Sequence, residues 1–261
     1  MPYGKKSAGT FGFVTGFSAI MALMMAPADA VAQSLTATIG VDQSEGDYGT
    51  DTDTSITVVP VSLRLRNGDW SLGASMAHVR IDGSPSIVSG GGGPIVLDPA
   101  AESTTRSGLG DLSLSASYTI AELLGAELTL GGRVKLPTGA EDLSTGKTDT
   151  KLTLEASAVA GPIMPFVEVG YRMLGDPDGL ELQDGLVGSL GATIPLGAPV
   201  LIVAYDYSAA SRETLPDSHS LFAGLSGRVA NRLRLTGYGT AGLSDGAPDY
   251  GVGLLLSFQA L

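Results

Sequence analysis

Apolar and polar residues alternate along most of the chain. The stretch Asp111–Ile120, DLSLSASYTI, places leucines and serines at alternate positions. A period of two predicts a β-strand with one apolar and one polar face. Similar segments, bounded by Gly, Pro, Asn and Asp, recur without sustained helical periodicity, and they predict twelve strands at 35–42, 54–66, 70–82, 111–120, 126–136, 149–159, 163–174, 185–195, 199–208, 218–229, 232–243 and 250–260.

The connections between these strands alternate in length. Short turns are predicted at 67–69, 121–125, 160–162, 196–198 and 230–231, and longer loops at 43–53, 83–110, 137–148, 175–184, 209–217 and 244–249. Short turns at one rim and long loops at the other are typical of outer-membrane barrels. We therefore predict an all-β fold, a transmembrane antiparallel up-and-down β-barrel of about 12 strands, with a soluble β-sandwich as the alternative.

Aromatic residues on the apolar faces lie near the predicted strand ends. Amphipathic rings concentrate at the two membrane interfaces, where one edge meets lipid and the other meets water. These residues therefore predict two aromatic girdles, formed by Trp70, Tyr118 and Phe258 at the short-turn rim and by Tyr171, Tyr205, Tyr207 and Tyr250 at the long-loop rim.

Charged residues share the polar faces. An Arg or Lys on the lipid face at the midplane costs about 2–4 kcal/mol. Arg80 is the one basic residue found on an apolar face, and it is predicted to lie near the long-loop rim and not at the midplane. Two arrangements stay open, namely bases on one wall facing acids on the other, or ion pairs that satisfy one another. The residues predicted to line the lumen are Arg64, Arg66, Glu127, Arg133, Lys135, Lys151, Glu155, Glu168, Arg172, Asp206, Arg228 and Arg234.

The N-terminus has the pattern of a secretory signal peptide. Lys5 and Lys6 precede an apolar run and small residues, so residues 1–32 are predicted to be removed by cleavage after Ala30 or Ala32, leaving 33–261 as one barrel domain. The chain contains no cysteine, which excludes disulfides and thiolate metal sites. Its formal net charge of −12 argues against nucleic acid as a partner.

The longest predicted connection, 83–110, contains the apolar segment IVSGGGGPIVL at 87–97. Such a segment can form a hydrophobic tip at the membrane surface, or it can fold inward and narrow a pore. We favour partial infolding.

Few residues suggest catalysis or metal binding. His78 and His219 are predicted on the outward faces of strands far apart around the ring, so they cannot share a site. His219 with a nearby serine is a formal hydrolase candidate, but an interfacial histidine is the simpler interpretation. The acidic loop residues Asp176, Asp178 and Glu181 lack a full Ca²⁺ ligand set. We predict no catalytic residues, no metal and no cofactor.

Several rim and loop segments resemble one bacterial family. They are GLGDLSL (108–114), KLPTG (135–139), STGKTD (144–149), VGYRMLGDP (169–177) and SDGAPDYG (244–251). Together these segments resemble outer-membrane barrel transporters of the phenol-degradation meta-pathway type. The resemblance implies passive passage of small solutes, aromatic or hydrophobic compounds among them, through an outer-membrane channel. The alternative function is a structural or adhesive barrel with an occluded lumen.

The final predicted strand also resembles a C-terminal assembly signal, with Leu254, Leu256 and Phe258 in phase. The partners expected are therefore outer-membrane lipid, the barrel-assembly machinery and a small-molecule solute, and the expected location is the cell outer membrane.

Overall fold

A computed structural model describes residues 33–50, 52–83, 87–90, 93–97, 104–123 and 125–260 of the chain. The predicted signal peptide, residues 1–32, lies outside the described residues. Among the described residues, no helix is long and apolar enough to cross a membrane.

Fifteen strands form the described structure. Their bounds are β1 Ser34–Gly46, β2 Thr54–Asn67, β3 Trp70–Gly83, β4 Ile87–Gly90, β5 Gly93–Val96, β6 Thr104–Leu109, β7 Leu112–Leu123, β8 Ala126–Leu136, β9 Asp149–Ala158, β10 Met164–Met173, β11 Gly185–Pro195, β12 Val200–Ser208, β13 Ser218–Ala230, β14 Leu233–Gly242 and β15 Tyr250–Gln259.

The strands close into an antiparallel barrel. Each strand from β7 to β14 pairs with the next, β1 pairs with both β2 and β15, and β2 also pairs with β3. β6 and β7 both pair with β3 and share one position in the ring. The barrel therefore has twelve strand positions, as the alternation predicted, and the pairing of β1 with β15 closes the ring.

The connection predicted at 83–110 differs from the structure. Its last part, β6, continues the wall alongside β3, and its middle part forms the separate β4–β5 hairpin. Between β6 and β7 the Gly110 N–H donates to the Ala77 carbonyl at 2.8 Å, so the wall stays connected across the break. The alternation of apolar and polar residues is interrupted at Gly110. For that reason the sequence predicted a strand that begins at residue 111 and did not predict β6.

Apolar and polar faces are separated by the wall. Leu114, Leu130, Leu154 and Leu190 belong to a broad set of exposed apolar side chains, whereas the buried polar positions alternate with them. An apolar exterior of this extent needs acyl chains as its solvent. A soluble sandwich would bury the leucines instead, so the alternative interpretation is wrong.

Aromatic side chains pack over glycines on the inner surface. A Cβ on Gly253 would lie 2.1 Å from Tyr238 Cζ, and one on Gly191 would lie 2.5 Å from Phe166 Cζ. These rings belong to an inner apolar cluster that also contains Phe222 and Ile202. Part of the lumen is thus filled by side chains of β10 to β15.

Candidate functional site

The space inside the barrel is the candidate site. Twelve strands spaced about 4.8 Å apart and tilted about 40° give a backbone diameter of about 24 Å. Inward side chains and any infolded segment decide how much of that width is open.

The β4–β5 hairpin packs inside this space. Ile87 and Ile95 are both 0% exposed, and Val88 and Val96 are buried. Ile87 and Val96 pack in a cluster with side chains of β2 and β3, such as Ile56 and Ile81. Val88 and Ile95 pack with Leu174 and Leu182 of the loop after β10. The hairpin therefore bridges two sides of the wall, and the predicted infolding is confirmed.

Two arginines bind the hairpin region through its backbone. Arg106 Nη2 on β6 donates to the Ile87 carbonyl at 2.8 Å, and Arg106 Nη1 donates to the Asp142 carbonyl. Arg212, in the loop after β12, donates to the Leu97 carbonyl. These contacts fix the hairpin to loops on two sides of the barrel.

A buried ionic network lies where β7, β8 and β9 meet the long-loop rim. Lys135 Nζ is 2.9 Å from Asp111 Oδ2 and 3.1 Å from Asp149 Oδ2, and the three side chains are at most 2% exposed. Asp111 Oδ1 also accepts the N–H groups of Thr138 and Gly139, at 3.0 and 2.8 Å. The network therefore fixes the β8–β9 loop over the wall.

Buried acidic and basic side chains alternate on the inner face of β9, β10 and β12. Lys151 Nζ lies 3.5 Å from Glu168 Oε1, and Glu155 is directly opposite Glu168 in the β9–β10 register. Asp206, on β12, is buried two strands away from Glu168. Since acids and bases occupy neighbouring strands, this arrangement matches mutual ion pairs and not bases and acids on opposite walls.

A basic group occupies the β2 and β8 side of the interior. Arg64, Arg66 and Arg133 are half-buried, and Arg64 lies close enough to the other two for their charges to repel. Glu127, also half-buried, attracts Arg66, and Glu168 attracts Arg133. These residues form a mixed but mainly positive region.

The last two predicted lining residues lie toward the short-turn rim. Arg234 Nη1 donates to Ser226 Oγ at 3.1 Å and is half-buried, whereas its register partner Arg228 is exposed. Arg228 therefore lies near the end of β13, at the short-turn mouth of the barrel, where it is exposed. The lining role of the whole set stays a prediction.

A cavity of about 130 Å³ lies between the hairpin and the wall. Apolar side chains that include Ile56, Ile81, Val96 and Phe222 line much of it. Its polar lining includes Asp42, Arg172, Asp206 and Tyr238, and Tyr238 Oη donates to Asp42 Oδ2 at 2.6 Å. The predicted lining set did not include Asp42 and Tyr238, although Asp42 alternates in phase with the polar positions of β1.

The aromatic residues predicted for the girdles are all at least partly exposed outside the wall. Trp70 and Tyr118 lie opposite each other on β3 and β7, with ring centroids 4.5 Å apart. Phe258 is exposed near the same rim, and Tyr171, Tyr205, Tyr207 and Tyr250 are half-buried or exposed toward the other rim. Their anchoring role in lipid stays a prediction.

The His219 ring contacts tyrosines. Its Nδ1 is 2.5 Å from Tyr205 Oη, and its ring centroid is 5.2 Å from that of Tyr207. Asp217 accepts the Ala210 N–H and the Tyr207 hydroxyl, both at 2.8 Å, and these hydrogen bonds lower the pKa of its carboxyl. The serine that His219 contacts is Ser244, whose Oγ accepts the His219 backbone N–H at 3.0 Å, whereas the ring contacts the two tyrosines.

Charged groups of the loops after β8 and β10 also pair. Lys147 Nζ is 2.7 Å from Asp178 Oδ1, and this hydrogen bond lowers the pKa of the Asp178 carboxyl. Asp176 Oδ1 accepts the Leu182 N–H at 2.8 Å. Arg80, the predicted outward arginine, lies 2.8 Å from Asp82 and is more than half exposed.

Comparisons with known proteins reveal similarity in structure. No protein-family model matches the chain, and no curated protein matches it in sequence. An outer membrane channel from Pseudomonas putida F1 superposes with a TM-score of 0.66 at 14% identity, over 90% of this chain and 99% of that chain.

Two autotransporter barrels are also similar. The translocator domain of NalP from Neisseria meningitidis gives a TM-score of 0.55 at 14% identity, over 88% of this chain and 90% of that chain. The β-domain of the Bordetella autotransporter BrkA gives 0.50 at 13% identity, over 87% and 99%. At these identities the likeness shows the fold. With its closed twelve-position barrel and apolar exterior, the chain is an outer-membrane β-barrel protein.

Proposed function

We propose that the barrel is a passive outer-membrane channel for small solutes, with aromatic or hydrophobic compounds as the class implied by its family resemblance. The observation that carries this proposal is the cavity of about 130 Å³ between the hairpin and the wall. A protein cavity of about 150 Å³ can hold benzene. At about 130 Å³ this space is slightly smaller, so the largest solute it suits is about the size of one aromatic ring.

The hairpin should stay in place during passage. Transferring a buried Ile or Val side chain to water costs about 1.5–3 kcal/mol, so releasing Ile87, Val88, Ile95 and Val96 together costs about 6 kcal/mol or more. At about 1.4 kcal/mol per factor of ten, fewer than about one molecule in ten thousand would release it spontaneously. Solutes would therefore move beside the hairpin, and conductance should be small.

The same packing favours a second candidate function. A hairpin with fully buried apolar side chains across the lumen is also what a structural or adhesive barrel with an occluded lumen would have. The two candidates differ in whether the wild-type chain conducts ions. Insertion by the barrel-assembly machinery is expected under both, and the absence of enzymatic activity stays a prediction.

Planar-bilayer recording of the purified barrel tests the proposal. We expect small single-channel steps from the wild type, and larger steps when Ile87–Val96 is replaced by a short Gly-Ser linker. Arg212→Gln, which removes the bond to the Leu97 carbonyl, should increase current fluctuations. Arg232→Gln is the matched control, since Arg232 donates to the Ala260 carbonyl at the opposite rim.

The outcomes separate the candidates. Wild-type steps support the channel. Steps from the linker variant alone would support the occluded barrel and overturn the channel proposal. Silence from both proteins, when heat-modifiable migration on gels shows that they are folded, would overturn it as well.

A further inference from the structure

The cavity between the hairpin and the wall contains more negative than positive charge. Asp42 and Asp206 both line it and are 7% and 5% exposed. Asp42 accepts the Tyr238 hydroxyl, which is a neutral donor. Asp206 Oδ1 is buried and has no hydrogen-bond partner of ordinary geometry among the described residues; the hydroxyl of Ser189, its register partner on β11, is the neutral donor that faces the carboxyl. A buried carboxylate oxygen without a donor is costly, so a ligand that supplies N–H donors and positive charge would be favoured there.

The bases near the cavity interact mainly with groups other than its two carboxylates. Arg172, which lines the cavity, donates from Nη2 to the Ala209 carbonyl at 2.8 Å and is attracted by Asp149 and Asp184. Its buried Nε has no hydrogen-bond partner among the described residues. Lys151, the base that acts on Asp206, is 3.5 Å from Glu168. Among the described residues, neither Asp42 nor Asp206 therefore forms a close ion pair with a base.

Aromatic and apolar groups complete the lining. The rings of Phe222 and Tyr238, both in the lining, stack with centroids 5.6 Å apart and planes at 28°. A cation within about 6 Å of an aromatic face is attracted by the ring quadrupole. Ile56, Ile81 and Val96 supply apolar walls. This combination suits a positive group carried on an apolar body.

The long-range field acts in the same direction. The chain has a formal net charge of −12, and acids such as Asp47, Asp53, Asp245 and Asp249 lie in loops at the long-loop rim. A rim of one sign raises the local concentration of ions of the opposite sign and speeds their arrival. Cations would therefore reach the mouth above the cavity more readily than anions.

We propose that the cavity between the hairpin and the wall is a binding site for a small organic cation, a protonated amine on an apolar body about the size of one aromatic ring. Asp206 would pair with the ammonium group, the apolar walls would contact the body, and Asp42, four strand positions away, would add a second negative charge to the lining. The inference rests on the proposed channel function in taking the cavity as part of the solute path. Binding can be measured without transport, so its failure would leave the channel function standing.

Calorimetric titration of the purified barrel in detergent micelles tests the proposal with three ligands that share one ring. Benzylammonium is the cation, benzyl alcohol the neutral analogue and benzoate the anion. We expect saturable one-to-one binding of benzylammonium, at least tenfold tighter than that of either analogue. Asp206→Asn should weaken this binding at least tenfold. Asp178→Asn removes a loop carboxylate outside the cavity and should change it less than twofold.

Several results would overturn the inference. These are equal binding of benzyl alcohol or benzoate, no saturable binding of benzylammonium, or unchanged binding in folded Asp206→Asn. If Asp206→Asn does not fold by heat-modifiable migration, Asp42→Asn serves as the second variant and must weaken benzylammonium binding.

Discussion

The buried Lys135 network provides the sharpest test of how the barrel is held together at the long-loop rim. Lys135→Met removes one charge that lies 2.9 Å from Asp111 and 3.1 Å from Asp149, and it leaves both carboxylates buried. Methionine is similar in length, so lost packing contributes little. Breaking a buried ion pair by removing one partner costs about 3–5 kcal/mol. We expect the free energy of unfolding to fall by that amount.

Guanidinium unfolding in liposomes measures this change. The chain has one tryptophan, Trp70, which is 55% exposed on the outer face and reports transfer from lipid to water through its fluorescence. Lys147→Met is the matched control, because Lys147 pairs with Asp178 in an exposed loop and such pairs contribute little. Equal effects of the two substitutions would refute the reasoning that burial makes the Lys135 pairs important.

Two further predictions concern packing and pH. Gly253→Ala places a Cβ 2.1 Å from Tyr238 Cζ and should lower the free energy of unfolding by about 1–3 kcal/mol, while Gly237→Ala on the next strand, with its nearest atom at 3.9 Å, should change it little in the same titration. The pKa of Asp217 is lowered below its unfolded value of about 3.9. Its stabilisation of the loop is therefore present above about pH 4 and lost as the pH falls through the folded pKa. Above about pH 4, hydrogen exchange at the Ala210 amide should be slower in the wild type than in Asp217→Asn, and the difference should disappear as the pH falls through the folded pKa. Equal rates in the two proteins at every pH would contradict this.

The sequence allowed the barrel wall to be predicted because alternation acts at each position. One apolar and one polar face follow directly from the pleat of a strand. Because lipid covers the outside, alternate residues over most of a strand such as β7 are apolar or small. The inward position of charged residues such as Lys151 and Glu168 could therefore be predicted without knowing the register of the strands. The even count and the alternating loop lengths then indicated a closed ring.

Features that depend on pairing between distant segments could not be predicted in the same way. Lys135 contacts Asp111 and Asp149 only because the β7–β8 and β8–β9 registers bring them together. The apolar β4–β5 segment permitted both an exposed tip and an inward fold, and its contacts with loops distant in sequence decide between them. The cavity lining, which joins Asp42 on β1 to Asp206 on β12, follows from closure.

Spin labels at two adjacent residues of β7 test the central claim. This claim is that lipid solvates the leucine face of the wall and that the opposite face encloses the lumen. The chain has no cysteine, so Leu114→Cys and Ser115→Cys can each carry a single label on β7. In liposomes we predict high accessibility to oxygen and low accessibility to a polar nickel chelate at 114, with oxygen accessibility clearly lower at 115. Equal oxygen accessibility at the two positions, or the reverse order, would contradict the account.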